Sequence, residues 1–123
     1  DLKENTIAQL NGRVLQLNQR YFNNKDILKK QLNKWSRDKY IPANCNNIRY
    51  VITHEYMHLL TQDEIDNPIS KVHSIFRRAK DKEFVSRYSS INCYEFVAEL
   101  LSANRLNGIS NKSIKSLLKI FGR

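Results

Sequence analysis

The sequence is poor in the residues that stabilise small domains by means other than a packed core. Its 123 residues include two cysteines, two prolines and three glycines. Two distant cysteines exclude a disulfide-rich scaffold and the paired short spacings of a structural zinc finger. No apolar run approaches the roughly 20 residues of a membrane-spanning helix, and no signal peptide opens the chain. A hydrophobic content of 41% instead predicts a single domain, residues 1–123, around one modest core.

Acidic residues are also scarce, because 12 Asp and Glu against 21 Lys and Arg leave a net charge of +9. Such a surplus favours acidic partners, including nucleic acid, anionic lipid and acidic peptides. The basic residues are spread along the chain, however, and no nucleic-acid-binding motif accompanies them. Solvated helix faces are the simpler interpretation, and nucleic-acid binding is an alternative without a supporting motif.

The most informative pattern is His54-Glu55-Tyr56-Met57-His58, inside the apolar run of residues 51–60. Residues four apart share one face of a helix, so His54 and His58 would present two imidazoles together. Two imidazoles can bind a zinc ion, and Glu55 lies where it could reach a metal-bound water. A helix with two incidental histidines is the alternative, although the pattern arises by chance in roughly one such chain in a few hundred.

Hydrophobic periodicity predicts an α+β fold that is mostly helical. Asn11-Gly12 between two short runs predicts an N-terminal β-hairpin with Ala8, Leu10, Leu15 and Leu17 on one face. An amphipathic helix through Ile7, Leu10, Val14, Leu17 and Tyr21 is the competing interpretation. Caps and apolar stripes predict further helices over residues 24–39, from 46 or 47 to 60, from 66–68 onward, over 92–107, and around 114–121.

Catalytic zinc takes a third protein ligand and leaves one position for water. Glu64 stands six residues after His58, where the metzincin pattern has a histidine, but Thr61 replaces the glycine of the tight turn. His73 is a lone histidine on a basic helix and is interpreted as a surface residue. Neither is a good match to a catalytic zinc ligand.

Glu95 and Glu99 are better candidates because they lie four apart in a largely apolar segment. Burying two unpaired carboxylates would be costly, and a dication relieves that cost. Glu95 can bind the metal while Glu99 accepts the ring N–H of a ligating histidine in the second shell. Asn92 and Glu95 also fit a capping box, and Glu99 could face solvent, so the residues alone leave both roles open.

These motifs together resemble the catalytic domain of anthrax lethal factor and its relatives, which include secreted Pro-Pro endopeptidases and metallopeptidase domains of phage and mobile-element proteins. That family has a His-Glu-x-x-His helix, then Ser-x-Tyr, then Asn-x-x-Glu-Phe-x-Ala-Glu. This chain reads Ser86-Arg87-Tyr88 and then the second motif over residues 92–99, in the same order. The resemblance covers about residues 12–104. Met57 departs from it, since relatives often have glycine there, and a bulkier group close to the metal could reshape the pocket or mark a divergent member.

The resemblance implies a minimal zincin-like domain of the gluzincin type, whose N-terminal hairpin packs on the active-site helix. His54, His58 and Glu95 would bind Zn²⁺, Glu55 would act as general base on the attacking water, and Tyr88 would supply a catalytic hydroxyl. The expected activity is hydrolysis of peptide bonds in a peptide or protein substrate. The alternative is a basic nucleic-acid- or phage-structure-associated binding module that retains a non-catalytic zinc site.

Three further expectations concern the hairpin edge, the two cysteines and the first residue of the chain. The hairpin would offer residues 13–18 as an edge strand for an extended peptide. Cys45 would lie about 13 Å along the helix from the metal and Cys93 much closer to it, so a disulfide is not expected and free thiols favour the cytoplasm over a secreted or delivered effector. Because the chain begins at Asp1 rather than Met, it can be a domain of a longer protein.

Overall fold

The computed structural model describes residues 6–122 and confirms the mostly helical α+β class. Two strands come first and six helices follow: β1 (Ala8–Asn11), β2 (Val14–Leu17), α1 (Gln19–Phe22), α2 (Lys25–Arg37), α3 (Ile48–Asp66), α4 (Val72–Arg78), α5 (Cys93–Asn107) and α6 (Lys112–Phe121). Short 3-10 turns lie at Asp81–Glu83 and Tyr88–Ser90 between α4 and α5. Helix α3 carries both histidines of the His-Glu-x-x-His motif.

The N-terminal hairpin is a two-stranded antiparallel sheet. Ala8 lies opposite Leu17 and Leu10 opposite Leu15, so these four residues share one face of the hairpin, as predicted. Gly12 has a φ of 63°, and this left-handed conformation is the one that tight hairpin turns require. The hairpin is therefore confirmed over the competing helix, and β1 packs directly against α3.

Asparagine side chains begin the four longest helices. In each case the Oδ1 atom accepts a hydrogen bond from a backbone N–H of the first turn, at Asn24 for α2, Asn47 for α3, Asn92 for α5 and Asn111 for α6. Gly108, with a φ of 66°, ends α5 as predicted. Local cap chemistry therefore fixes where most of these helices start.

The two largest differences from the predicted helix boundaries lie at the end of α3 and at the start of the next helix. Helix α3 continues six residues past Leu60, because Thr61 and Ile65 extend its buried face and the Thr61 hydroxyl donates to the Met57 carbonyl at 2.7 Å. The next helix starts at Val72, and Pro68 lies in the preceding turn rather than at the first helical position. The short helix α1 was not predicted.

Helix α2 ends in a Schellman turn around Lys39, two residues earlier than predicted. The Lys39 N–H donates to the Ser36 carbonyl at 3.1 Å, and the Tyr40 N–H donates to the Trp35 carbonyl at 2.8 Å. Lys39 has a φ of 58° at the position that glycine usually occupies in this turn. The reversal brings the Tyr40 ring back onto the Trp35 ring.

Two apolar clusters form the core, and α3 contributes to both. The C-terminal cluster joins α3, α4, α5 and α6 and includes Met57, Val72, Phe96, Leu100 and Leu117. The N-terminal cluster joins the hairpin, α1, α2 and the start of α3 and includes Ile7, Leu28, Leu32, Ile41 and Tyr50. Because α3 also packs along α5, this pair of helices is the axis of the fold.

No helix within residues 6–122 is long and apolar enough to cross a membrane. Cys45 is fully buried in the N-terminal cluster, where its Sγ atom lies 3.2 Å from the Asn107 side-chain amide, and Cys93 is partly buried at the start of α5. Neither cysteine forms a disulfide with another residue that the structure describes.

Candidate metal centre

Helices α3 and α5 bring the two predicted motifs face to face. The Nε2 atoms of His54 and His58 each lie 2.9 Å from Oε1 of Glu95, and they lie 3.1 Å from one another. Each side chain is at most partly exposed, and His54 is buried. Three potential ligand atoms therefore converge on one point between the helices.

This donor set fits zinc. Two imidazole nitrogens and one carboxylate oxygen are the ligands of one well-known class of catalytic zinc site, in which water takes the fourth position. Zinc–ligand bonds of 2.0–2.1 Å place tetrahedral ligand atoms about 3.3 Å apart. The observed separations of 2.9–3.1 Å are slightly shorter, so only a small outward movement of the side chains is needed.

Glu99 holds His54 in the orientation that metal binding requires. Its carboxylate is fully buried, and Oε2 lies 2.8 Å from Nδ1 of His54. A proton on Nδ1 donates to this oxygen, which leaves the lone pair of Nε2 directed at Glu95 and the shared point. The structure thus places Glu99 where the second-shell interpretation requires it, and not facing solvent.

Two further side chains bind Glu99, and sequence reasoning missed both. The Tyr50 hydroxyl donates to Oε2, and the Ser86 hydroxyl donates to Oε1 at 2.8 Å. Tyr50 lies one helical turn before His54, and Ser86 lies two residues before Tyr88. The sequence did offer a signal for Tyr50, since a residue four positions before His54 must share its face of α3.

The electrostatics of the cluster favour a positive charge at its centre. Burial alone would lower the pKa of His54, but the negative charge of Glu99 and hydrogen bonds to both carboxylates raise it to about 10. Burial alone would raise the pKa of Glu95, but hydrogen bonds and charge from the two histidines lower it to about 2. Both shifts favour positive charge beside the carboxylates, which a bound dication between the three side chains would also supply.

Glu55 lies beside this cluster and faces β1. Burial raises its pKa above the usual value, while the neighbouring histidines and a backbone hydrogen bond from Leu10 act in the opposite direction. A carboxylate with a raised pKa accepts a proton more readily at neutral pH than an exposed one does. The structure therefore places Glu55 where a general base would be needed, next to the paired histidines.

Tyr88 lies on the other side of the cluster, on the 3-10 turn Tyr88–Ser90. Its backbone N–H donates to the Tyr40 carbonyl at 3.1 Å, and its ring centre lies 5.9 Å from that of His54. Burial, followed by the charge of Glu95, raises the pKa of the Tyr88 hydroxyl well above its usual value. The hydroxyl therefore stays protonated and available as a donor beside Glu95.

A half-open cavity of about 830 Å³ surrounds the cluster and contains Glu55 and Tyr88 in its lining. Thr6 to Leu10, including most of β1, form one side of it, whereas no residue of β2 lines it. The expectation that residues 13–18 form the strand beside a substrate was therefore wrong. Strand β1 separates β2 from α3, so the edge that faces the cavity belongs to β1.

The remaining candidates lie away from the cluster. Glu64 is absent from the one group of three potential ligands found within residues 6–122. His73 is partly buried, not on the surface as expected, because its Nε2–H donates to the Ile65 carbonyl at 2.8 Å near the end of α3. Met57 packs into the C-terminal cluster with 1% of its surface exposed and does not line the large cavity, so it does not reshape the pocket as expected.

Comparison of the chain with protein family models, with curated proteins and with solved structures found no match.

Proposed function

We propose that this protein is a zinc-dependent endopeptidase of the gluzincin type. The observation that carries the proposal is the convergence of His54, His58 and Glu95 within 2.9–3.1 Å of one another, in a cavity that also contains Glu55. A zinc ion held by these three side chains would supply a Lewis acid for activating water and polarising a peptide carbonyl.

The remaining chemistry belongs to residues of the chain. Glu55 takes the proton from the attacking water and returns it to the leaving amine. The protonated Tyr88 hydroxyl donates a hydrogen bond to the oxyanion that develops on the carbonyl oxygen. Glu99, with Tyr50 and Ser86, keeps the His54 ring in one orientation throughout.

A peptide is the substrate class that the cavity favours. In β1, the hydrogen bonds of Ile7, Gln9 and Asn11 are directed at β2, so the backbone groups of Ala8 and Leu10 point to the opposite edge. Glu55 lies beside this edge, since the Leu10 backbone N–H contributes to lowering the pKa of its carboxyl. An extended peptide could pair along the free groups of this edge.

Zinc content and peptide hydrolysis of three variants test the proposal. We expect about one zinc per chain in the parent protein and a large loss of zinc in Glu95→Ala. We expect Glu55→Gln to retain zinc but to cleave a peptide library about 10²- to 10⁴-fold more slowly, because only the proton transfer is removed. Glu64→Gln, on the same helix, is the matched control and should retain both properties. A folded parent that binds no added zinc would contradict the proposal.

The net charge of +9 favours one other function, a basic binding module that keeps the metal without turnover. Nucleic-acid affinity of such a module would fall steeply with rising salt concentration, and chelators would affect it little. Peptide cleavage would instead be abolished by chelators and restored by zinc. Measuring both responses on one preparation separates the two functions.

A further inference from the structure

A continuous wall of aromatic rings leads away from the metal cluster along one side of the cavity. The ring centres of Trp35 and Tyr40 are 5.6 Å apart, those of Tyr40 and Tyr88 are 5.0 Å apart, and Tyr88 then contacts the His54 ring. Trp35, Tyr40 and Tyr88 all line the cavity and are each only partly buried. Aromatic surface is therefore presented to the cavity from its outer part up to the metal cluster.

Backbone hydrogen bonds fix these rings in place. The Schellman turn at Lys39 sets Tyr40 against Trp35, and the Tyr40 carbonyl then accepts the N–H of Tyr88. The Lys39 carbonyl accepts the N–H of Arg87 at 2.8 Å in the same way. Because the wall is formed before any ligand arrives, little ordering of the protein opposes binding.

Charged residues near Trp35, Tyr40 and Tyr88 affect which peptide side chains could pack against these rings. A cationic side chain could lie on the ring faces, and Lys34 and Arg87, which adjoin Trp35 and Tyr88 in the sequence, would repel it there, whereas Glu55 and Glu95 line the cavity at the metal cluster. An aliphatic side chain would gain only from burial of its surface. An aromatic side chain would gain ring–ring contact in addition, and it carries no charge that Lys34 or Arg87 could repel.

We propose that the cavity selects peptide substrates that carry an aromatic side chain close to the scissile bond, packed against Trp35 and Tyr40. This inference rests on the proposed peptidase function and specifies its substrate. The opposite side of the cavity, formed by β1, would bind the peptide backbone. One side of the cavity would thus bind a side chain of the substrate and the other its main chain.

Cleavage of a peptide series by the zinc-loaded protein tests the inference. The peptides are identical except at one position near the cleaved bond, which carries Phe, Leu or Lys, and each position on either side of that bond is scanned in turn. We expect kcat/KM at one position to be about three- to tenfold higher for Phe than for Leu, and lowest for Lys. Tyr40→Leu should bring the Phe-to-Leu ratio close to one. Tyr56→Leu is the control, since Tyr56 is 51% exposed on α3 and lies outside the cavity.

A second measurement needs neither turnover nor a variant. Trp35 is the only tryptophan in the chain, so its fluorescence reports on the wall directly. We expect the hydroxamate of N-acetyl-phenylalanine to change this fluorescence at a several-fold lower concentration than the leucine analogue, in the zinc-loaded parent protein.

The outcomes separate the inference from the proposed function. Cleavage without any preference for Phe over Leu at any position would overturn the aromatic subsite and leave the peptidase intact. Absence of cleavage of every peptide by the zinc-loaded protein would overturn the peptidase. The fluorescence titration then decides the subsite alone, and equal responses to the two hydroxamates would overturn it.

Discussion

Glu95 and Glu99 share one face of α5 but are suited to different roles, because different side chains contact them. Glu99 is fully buried and is surrounded by Tyr50, Ser86 and His54, which together occupy both of its oxygens. Glu95, four residues earlier, faces two imidazole nitrogens and the cavity. A carboxylate whose oxygens are already bound by donors orients a ligand, whereas one opposite two lone pairs is suited to bind a metal.

The Tyr50 hydroxyl offers a direct test of this arrangement. Tyr50→Phe keeps the ring but removes one donor from Glu99, so the carboxylate and the His54 ring lose part of their orientation. We expect zinc affinity, measured by competition with a chelator, to fall by up to about tenfold, at the lower end of the range for outer-shell changes. Tyr56→Phe is the matched control and should leave the affinity unchanged. An unchanged affinity in Tyr50→Phe would remove Tyr50 from the positioning role.

Among single residues, the sequence predicted the potential metal ligands better than the side chains that hold those ligands in place. Helical periodicity pairs His54 with His58 and Glu95 with Glu99, because a spacing of four fixes which side chains share a face, whereas the roles of the two glutamates rested on the resemblance. The partners of Glu99 do not follow from periodicity alone, since the packing angle of α3 on α5 decides which hydroxyls reach it. Whether the cluster binds zinc and cleaves peptides stays a prediction.

At the scale of single elements, Glu83 joins two helical segments. Its Oε1 accepts the Lys80 N–H at 3.0 Å, and its Oε2 accepts the Ser113 N–H at 3.2 Å in the first turn of α6. The Asn111 side chain also donates to the Glu83 carbonyl at 3.1 Å. One buried carboxylate thus satisfies backbone groups at the start of both the 3-10 turn and α6.

This contact predicts a pH-dependent stability. The Lys80 backbone hydrogen bond, the hydrogen bonds from Ser113 and the positive charge of nearby Lys112 lower the pKa of Glu83 below its usual 4.5 against the opposing effect of burial. A lowered folded-state pKa contributes stability that is present above pH 4.5 and is lost as the pH falls through the folded-state pKa. We expect Glu83→Gln to lower the free energy of unfolding by about 1–2 kcal/mol at pH 7, and the difference to shrink in acid.

Urea unfolding of the parent and the variant at several pH values measures this effect. Asp81→Asn, an exposed acid in the same turn, is the control and should change stability by less than about 0.5 kcal/mol. A difference for Glu83→Gln that stays constant down to pH 3 would contradict a role for the ionised carboxylate.

Helix starts were more predictable than helix ends. An asparagine cap acts through its own side chain, so Asn24, Asn47 and Asn92 could be recognised locally. The end of α2 depends on Lys39 in a left-handed conformation, which sequence patterns assign to glycine. The extension of α3 past Leu60 depends on tertiary burial of Ile65, which no local pattern records.

At the scale of the whole molecule, the candidate metal centre joins α3 and α5, the two helices that form the axis of the fold. Helix α3 belongs to both apolar clusters, whereas α5 supplies much of the C-terminal cluster. A metal held by His54, His58 and Glu95 would therefore link the two helices directly. It would also reduce the electrostatic repulsion between the carboxylates of Glu95 and Glu99, which both contact His54.

Zinc should accordingly raise thermal stability. A ligand at a thousand times its dissociation constant stabilises the folded state by about 4 kcal/mol, which corresponds to a rise in Tm of about 10 °C or more for a chain of this size. We expect a chelator to reverse the rise and Glu95→Ala to abolish it. His73→Ala is the control: its own Tm can differ, but the increment caused by zinc should remain. An equal increment in Glu95→Ala would exclude Glu95 as a ligand.

The turn that carries Tyr88 packs on α5, and it is also held from outside the two helices that carry the potential metal ligands. Its backbone is bonded to Tyr40, just after the Schellman turn of α2, whereas the ligands lie on α3 and α5. A variant that disturbs the turn at Lys39 would therefore displace the hydroxyl and leave the ligand cluster intact. In a screen of random mutants, such a protein would have normal metal content and a reduced turnover number. Its defect would then be assigned to the chemical step, although the substituted residue lies far from the cluster.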